Sequence, residues 1–98
     1  MKNRERSWRS QSNASLPRVT LYSKPDCHLC EIAKERIASV RRGVAFELES
    51  VDITSDPMLY ARYRERIPVV LLEGKEIFVY RVSEKVLIRK LEDAALRW

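Results

Sequence analysis

The chain has 98 residues, of which 45% are hydrophobic and 34% charged, and its formal net charge is +5. This length and composition predict one small globular domain with a single core, together with a tail. Apolar runs such as residues 69–72 are far shorter than the roughly 18 residues that indicate a membrane helix, so we expect no membrane partner. Two cysteines are too few for a disulfide-built secreted scaffold, which favours a cytoplasmic location.

Residues 1–17 form a basic, serine-rich segment that carries much of the charge. This segment has a net charge of +3, which leaves +2 for residues 18–98. Its composition predicts a disordered N-terminal tail ahead of a folded domain at residues 18–98. The alternatives are an organelle transit peptide and a segment that contacts RNA or an anionic surface, and the latter predicts strongly salt-dependent binding. We expect no nucleic-acid partner and a monomeric protein.

From residue 18 onward, strand-like and helix-like segments alternate. Strands are predicted at residues 18–23, 45–53, 67–72 and 76–80, and the last two are joined by a turn at residues 73–75. A first helix is predicted from about residue 29 to a stop near Gly43. Its apolar face consists of Cys30, Ala33, Ile37 and Val40.

Two further helices follow the second and fourth strands. The second helix begins at Ser55-Asp56-Pro57, which supply a capping side chain and a first-turn proline. Its partly apolar face consists of Met58, Leu59, Arg62 and Tyr63. The third helix is capped by Ser83, and its core face consists of Val86, Leu87, Leu91, Ala94, Ala95 and Trp98.

The order β-α-β-α-β-β-α predicts an α/β domain with a four-stranded mixed sheet. Strands joined by right-handed crossovers are expected to pair in parallel, and the final strand is expected to form an antiparallel edge. Helices are expected on both faces of the sheet, because each sheet face needs an apolar cover.

The two cysteines, Cys27 and Cys30, form a C-x-x-C motif between the first strand and the first helix. This position is typical of a thioredoxin-like redox motif. The first turn of a helix has unpaired N–H groups and the positive end of the peptide dipoles, and both stabilise a thiolate. A free cysteine thiol has a pKa of about 8.5, which falls to roughly 7 or lower at such a terminus. Lys24 and protonated His28 also favour the thiolate, whereas Asp26 opposes it.

The spacing predicts a different role for each cysteine. Cys27, at the junction of loop and helix, is predicted to be the exposed nucleophile, and Cys30, one turn deeper on the same side, to be the resolving thiol. Attack on a substrate disulfide then gives a mixed disulfide at Cys27, which Cys30 displaces.

Other interpretations of the pair stay open. A zinc site normally has four ligands, whereas the chain offers only Cys27, Cys30 and His28 here, so we predict no metal site. An inert disulfide is a second alternative, although closing so short a loop adds little stability. His28 can equally be a solvated side chain without a catalytic role. The leading alternative function is a binding module that senses oxidation or carries a metal or Fe–S cluster through the same cysteines.

The chain resembles the glutaredoxin family over residues 18–96. The resemblance lies in the segment 19–30, which ends in the C-H-L-C motif, and in the segments Ile67-Pro68-Val69-Val70 and Gly74-Lys75-Glu76-Ile77. It is strongest with the small C-H-L-C glutaredoxin-like proteins of the thioredoxin-fold superfamily. The resemblance implies a thioredoxin-like fold and a thiol–disulfide oxidoreductase with a role in cell redox homeostasis.

The resemblance also implies a substrate-binding loop at the head of the third strand. In the family this proline is cis and lies against the cysteine pair, which places Pro68 beside Cys27. The backbone of Ile67 then offers its N–H and C=O groups to an extended substrate. The predicted substrate-binding residues are therefore Lys24, His28, Ile67 and Pro68.

Two segments depart from the glutaredoxin pattern. Glutaredoxins usually follow the hairpin with Gly-Gly-x-x-Asp, which cradles the γ-glutamyl end of glutathione, whereas residues 78–82 here read FVYRV. The usual Pro-Tyr between the cysteines is His28-Leu29, which removes an aromatic wall. Lys24, Arg64 and Arg66 remain as candidate carboxylate partners, and the favoured alternative for each is a solvated surface charge. We expect no tightly bound cofactor, and we expect the electron donor to be either glutathione or a thioredoxin-reductase-type protein acting with protein disulfide substrates.

Overall fold

The computed structural model describes residues 16–95 of the chain. In chain order the elements are β1 (Arg18–Ser23), α1 (His28–Arg41), β2 (Glu47–Asp52), a short 3-10 helix (Ile53–Ser55), α2 (Pro57–Tyr63), β3 (Val69–Leu72), β4 (Lys75–Val79) and α3 (Glu84–Ala95). Apart from the short 3-10 helix, this order is the predicted one. Residues 1–15 of the predicted tail, and Trp98 of the predicted third-helix face, lie outside the described residues.

The four strands form one mixed sheet in the order β2-β1-β3-β4. β1 pairs in parallel with β2, whereas β3 is antiparallel to both β1 and β4. The predicted mixed sheet with an antiparallel edge is therefore confirmed, but the expected parallel pairing is wrong for β3. The reason is that α2 has only seven residues and, at about 10 Å, is too short to return the chain to the start of β1. Val69 instead lies opposite Tyr22, so β3 begins where β1 ends.

Two apolar clusters lie on opposite faces of the sheet, because the side chains of each strand alternate between the faces. The first cluster packs α1 and α3 on the sheet and contains Val19, Leu21, Ala33, Ile37, Val40, Phe46, Val70, Val82, Leu87 and Leu91. The second cluster contains Cys30, Ile53, Tyr63, Ile67, Val69 and Leu71, with Tyr22, Cys27 and Leu59 packed against it. Helices therefore lie on both faces, as predicted.

Side-chain caps start α2 and α3, as predicted. Asp56 Oδ1 accepts the N–H groups of Met58 at 2.9 Å and Leu59 at 3.4 Å. Ser83 Oγ accepts the N–H of Val86 at 3.2 Å. Each such cap stabilises a helix by about 1 kcal/mol. The prediction that Met58 and Val86 join apolar helix faces is wrong, because they are 81% and 41% exposed. Each lies about 100° around its helix from the next residue, Leu59 or Leu87, which does pack on the core.

The hairpin between β3 and β4 has a two-residue turn, Glu73 and Gly74, with φ values of +51° and +83°. Positive φ at both positions is typical of a type I′ turn, whose twist matches that of the strands. β4 therefore begins at Lys75, one residue earlier than predicted. Glu73 donates its N–H to the carbonyl of Arg18 at 2.9 Å and accepts the Arg18 N–H at 2.7 Å through its carboxylate. These two bonds fasten the turn to the start of β1.

The other segment ends differ from prediction by one or two residues. α1 begins at His28 rather than near residue 29, and β2 spans Glu47–Asp52 rather than residues 45–53. β3 begins at Val69 rather than residue 67, because Pro68 has no N–H to donate to a strand. Gly43 follows the end of α1, as predicted, but does not have a positive φ. Of the helices between residues 16 and 95, none combines the length and hydropathy needed to cross a bilayer.

Candidate functional site

The cysteine pair lies at the N-terminus of α1. Cys27 is the N-cap residue, with extended backbone angles (φ −116°, ψ 108°), and its Sγ accepts the N–H of Cys30 at 3.2 Å. The two sulfurs are in bonding contact as a disulfide, and the Cα atoms are 5.2 Å apart. Cys30 is completely buried, whereas Cys27 is partly exposed. A reagent in solution can therefore reach the sulfur of Cys27 more readily than that of Cys30.

The turn between β1 and α1 places Cys27 at the helix terminus. Asp26 has a φ of +59°, a left-handed conformation that aspartate tolerates better than most residues. Behind it, Ala33 and Ile37 are buried on the sheet and hold α1 in place. The helix N-terminus consequently lies just beyond the end of β1, and its free N–H groups point toward Cys27.

The base of the site is apolar and aromatic. The rings of Tyr22 and Tyr63 lie 4.7 Å apart, and the buried Ile67 belongs to the same cluster as the deeper cysteine. Burial raises the pKa of the Tyr22 hydroxyl further above physiological pH. The guanidinium groups of Arg62 and Arg66 lie 5.4 Å and 5.7 Å from the centre of the Tyr63 ring. Two positively charged guanidinium groups therefore border the apolar base of the site.

The segment before β3 contains the cis peptide bond Ile67–Pro68, as the resemblance implied. Pro68 is buried, and its carbonyl accepts the N–H of Tyr80 at 2.8 Å. The Tyr80 hydroxyl donates to the carbonyl of Glu65 at 2.7 Å, so this residue joins the end of β4 to the proline loop. Cys27 and Ile67 both contact the second apolar cluster, which places the loop and the cysteine pair at one edge of the sheet.

Two of the cations predicted as carboxylate partners are already paired within the chain. Arg66 makes a two-point ion pair with Glu76, in which Nη1 and Oε2 are 3.2 Å apart. The hydrogen bond from this guanidinium holds the pKa of Glu76 below its usual value. Arg64 lies 3.8 Å from the carboxylate of Glu65.

The other two predicted site residues, Lys24 and His28, lie close to Cys27 in the chain. The first residue of α1, His28, is exposed next to Cys27, and the half-buried Lys24 directly follows β1. Within residues 16–95, no group of three or more His, Cys, Asp or Glu side chains is placed to hold a metal ion. Sequence reasoning missed the structural role of Tyr80, because the only signal was a bulky side chain where glutaredoxins have glycines.

A mixed four-stranded sheet between two helical layers, with a cysteine pair at a helix N-terminus and a cis-proline loop beside it, defines a protein of the thioredoxin fold. Mitochondrial thioredoxin 3 of Saccharomyces cerevisiae, in its oxidized form, is similar to this chain with a TM-score of 0.61. That similarity covers 88% of this chain and 86% of the thioredoxin at 13% identity, and it shows the fold alone.

Within this class, the chain belongs to the Glutaredoxin-like domain family (DUF836), whose family model matches residues 18–92. An uncharacterized protein of Mycobacterium tuberculosis is 32% identical over 75 residues, which cover 71% of this chain and 77% of that protein. The solution structure of protein Ne2328 from Nitrosomonas europaea is similar with a TM-score of 0.67 at 28% identity, and covers 78% of this chain and 92% of that one. The predicted resemblance is confirmed.

Proposed function

We propose that this protein is a thiol–disulfide oxidoreductase in which Cys27 is the nucleophile and Cys30 the resolving thiol. One observation carries the proposal: a partly exposed sulfur caps the first turn of α1, and a fully buried sulfur lies within bonding distance of it. The buried sulfur has little access to substrates but can attack its neighbour. The family and the fold support a redox-type function of this kind.

The reaction proceeds by two thiol–disulfide exchanges. In the reduced protein, the Cys27 thiolate attacks one sulfur of a substrate disulfide, and the other substrate sulfur leaves as a thiolate. Cys30 then loses its proton and attacks the Cys27 sulfur, which breaks the mixed disulfide and releases the second substrate thiolate. Two electrons pass from the cysteine pair to the substrate. An external dithiol or a reductase returns the pair to the reduced form.

Four further residues are proposed to bind the substrate. The backbone N–H and C=O groups of Ile67 pair with an extended segment of the substrate, in the manner of strand addition. Pro68 fixes the shape of this loop and is buried beneath it. Lys24 and His28 lie near Cys27 in the chain and, when protonated, add positive charge that favours the thiolate.

The side chains around the site do not fit the glutathione cradle of glutaredoxins. Tyr80 and Arg81 stand in the segment where glutaredoxins expose bare glycine backbone, and Arg66 is held by Glu76. These features support protein disulfides as substrates and a thioredoxin-reductase-type electron donor. We further propose that the protein is a monomer and works in a reducing compartment such as the cytoplasm, where the cysteine pair can cycle.

Turnover of a protein disulfide tests the proposal. The purified protein is incubated with insulin and dithiothreitol, and in parallel with glutathione and glutathione reductase. We expect insulin reduction to be faster with dithiothreitol and to be lost in Cys27→Ser. In Cys30→Ser, we expect a mixed disulfide with the substrate to accumulate at Cys27, detected by intact mass.

Two controls make the result decisive. A buried hydroxyl in Cys30→Ser destabilises the fold by about 1–3 kcal/mol if it is left unpaired, so Cys30→Ala is measured beside it. Loss of bound metal in both cysteine variants, without any mixed disulfide, would instead support a metal-carrying module. Failure of the wild-type protein to reduce any disulfide would refute the proposed activity.

A further inference from the structure

A groove lies next to the cysteine pair, between α1 and the segment that follows β4. Its volume is about 140 Å³. α1 contributes Leu29, Ile32 and Arg36 to its walls, and the segment after β4 contributes Tyr80, Arg81 and Val82. Leu29 stands between the two cysteines in the chain, so one wall of the groove starts in the first turn of α1.

Two large apolar side chains of this groove are exposed. Leu29 is 40% exposed and Tyr80 is 48% exposed. Together they offer an apolar surface on which a side chain of a bound molecule can pack. The volume is well below the roughly 300 Å³ at which small-molecule sites begin, so the groove suits individual side chains rather than a cofactor.

The charge of the groove is positive. Arg36 donates from Nη1 to the carbonyl of Val82 at 2.8 Å, which holds its guanidinium between α1 and the loop. Arg81 is exposed and lines the same groove. None of the residues that line the groove carries a carboxylate. An acidic side chain placed here would therefore meet complementary charge.

The wall formed by Tyr80 is held in a conformation that tyrosine rarely adopts. Its φ of +73° is in the left-handed region, which is costly for a residue with a bulky side chain. Hydrogen bonds to the carbonyls of Pro68 and Glu65 maintain it. Such strained residues accumulate at functional sites. The ring consequently stands in a fixed position between the proline loop and the groove.

We infer that this groove binds the residues that flank the disulfide cysteine of a protein substrate. An apolar side chain of the substrate packs against Leu29 and Tyr80, and an adjacent aspartate or glutamate lies beside Arg36 and Arg81. The inference rests on the proposed function, because the flanking residues reach the groove while the substrate cysteine is bound to Cys27. The preferred substrate is thus an extended acidic and apolar segment next to a cystine.

Two matched peptides test this preference. Each carries one cysteine activated as a mixed disulfide with thionitrobenzoate, flanked by Leu-Asp in one peptide and by Leu-Lys in the other. The reduced Cys30→Ala variant is mixed with each peptide, and the release of thionitrobenzoate gives the rate of attack by Cys27. We expect the aspartate peptide to react about fivefold faster, the upper range for one exposed ion pair. In a background that also carries Arg81→Glu, we expect the lysine peptide to react faster.

An exposed arginine outside the groove provides the matched control. Arg42→Glu makes the same change in net charge at the end of α1, and we expect it to keep the preference for the aspartate peptide. Retention of that preference in Arg81→Glu, or equal rates for both peptides with the unaltered groove, would overturn the inference. Bis(2-hydroxyethyl) disulfide is measured in parallel. Its reduction by the wild-type protein would leave the proposed function standing, whereas a failure of all disulfides to react would refute that function itself.

Discussion

The unequal exposure of the two cysteines predicts unequal rates of alkylation in the reduced protein. Cys27 is partly exposed, and Cys30 has 0% of its surface exposed. Alkylation of Cys30 therefore requires a local opening of the first turn of α1. We take the free energy of this opening as about 3 kcal/mol, which lies between the values for fraying helix ends and for global unfolding. Because about 1.4 kcal/mol corresponds to a factor of ten, Cys30 should react about 100-fold more slowly than a freely exposed thiol.

The assay uses limited alkylation with iodoacetamide. The protein is reduced, the reductant is removed, and samples are quenched over time and analysed by intact mass and peptide mapping. We expect a single adduct, located on Cys27. The single-cysteine variants Cys27→Ser and Cys30→Ala give the two rates separately. The same variants in guanidinium chloride serve as the control, because burial no longer protects either thiol in the unfolded chain.

A specific result would refute this reasoning. If native Cys30 reacts as fast as Cys27, or reacts first, the buried position of its sulfur does not limit access. The assignment of nucleophile and resolving thiol would then lose its structural basis, even if the protein reduces disulfides.

Three further predictions concern stability. Leu87→Ala removes a fully buried side chain from the first cluster and should lower the free energy of unfolding by about 2–5 kcal/mol, measured by urea denaturation. Gly74→Ala should lower the free energy of unfolding by about 1–2 kcal/mol, because the φ of this residue is +83°. An added Cβ would meet no atom within 4 Å, so the loss comes from backbone strain alone. Gly43→Ala is the control that should not destabilise the protein, because Gly43 has no positive φ. The hydrogen bond from Arg66 lowers the pKa of Glu76 in the folded protein. The pairing therefore stabilises the fold at any pH above the ordinary pKa of a glutamate, and this stabilisation is lost as the pH falls through the lowered pKa of Glu76. Urea denaturation between about pH 2 and pH 6 should therefore show a weaker loss of stability in acid for Glu76→Gln, and an unchanged acid slope would contradict this reasoning.

Local sequence patterns were sufficient to predict most of the fold. β1 has the predicted bounds, because alternating buried side chains at Val19 and Leu21 mark a strand. Asp56 and Ser83 mark two helix starts, because capping depends on residues only two or three positions apart. The C-x-x-C motif likewise predicted one cysteine at the junction of loop and helix and a second cysteine one turn deeper. These features all depend on neighbours along the chain.

Local sequence patterns could not predict the contacts between segments that are distant along the chain. The antiparallel direction of β3 depends on where α2 returns the chain, which no local period encodes. The ion pair of Arg66 with Glu76 joins residues ten positions apart, and the hydroxyl of Tyr80 reaches a carbonyl fifteen positions away. The groove beside Leu29 likewise depends on distant segments, since Arg36 of α1 bonds to Val82, 46 positions along the chain. The sequence therefore predicted the reactive pair but not the surface that surrounds it.

The two hydrogen bonds between Glu73 and Arg18 fix the point at which the chain enters the sheet. β1 then runs from Arg18 to Ser23, and the cysteine pair follows beyond its far end. At about 3.3 Å per residue, this strand separates the entry point from the reactive edge by roughly 17 Å. A fluorescent label or a solid support attached at the exposed position 18 would thus be coupled at the end of β1 that lies away from the cysteine pair. Immobilised protein would keep its reactive edge turned toward incoming molecules.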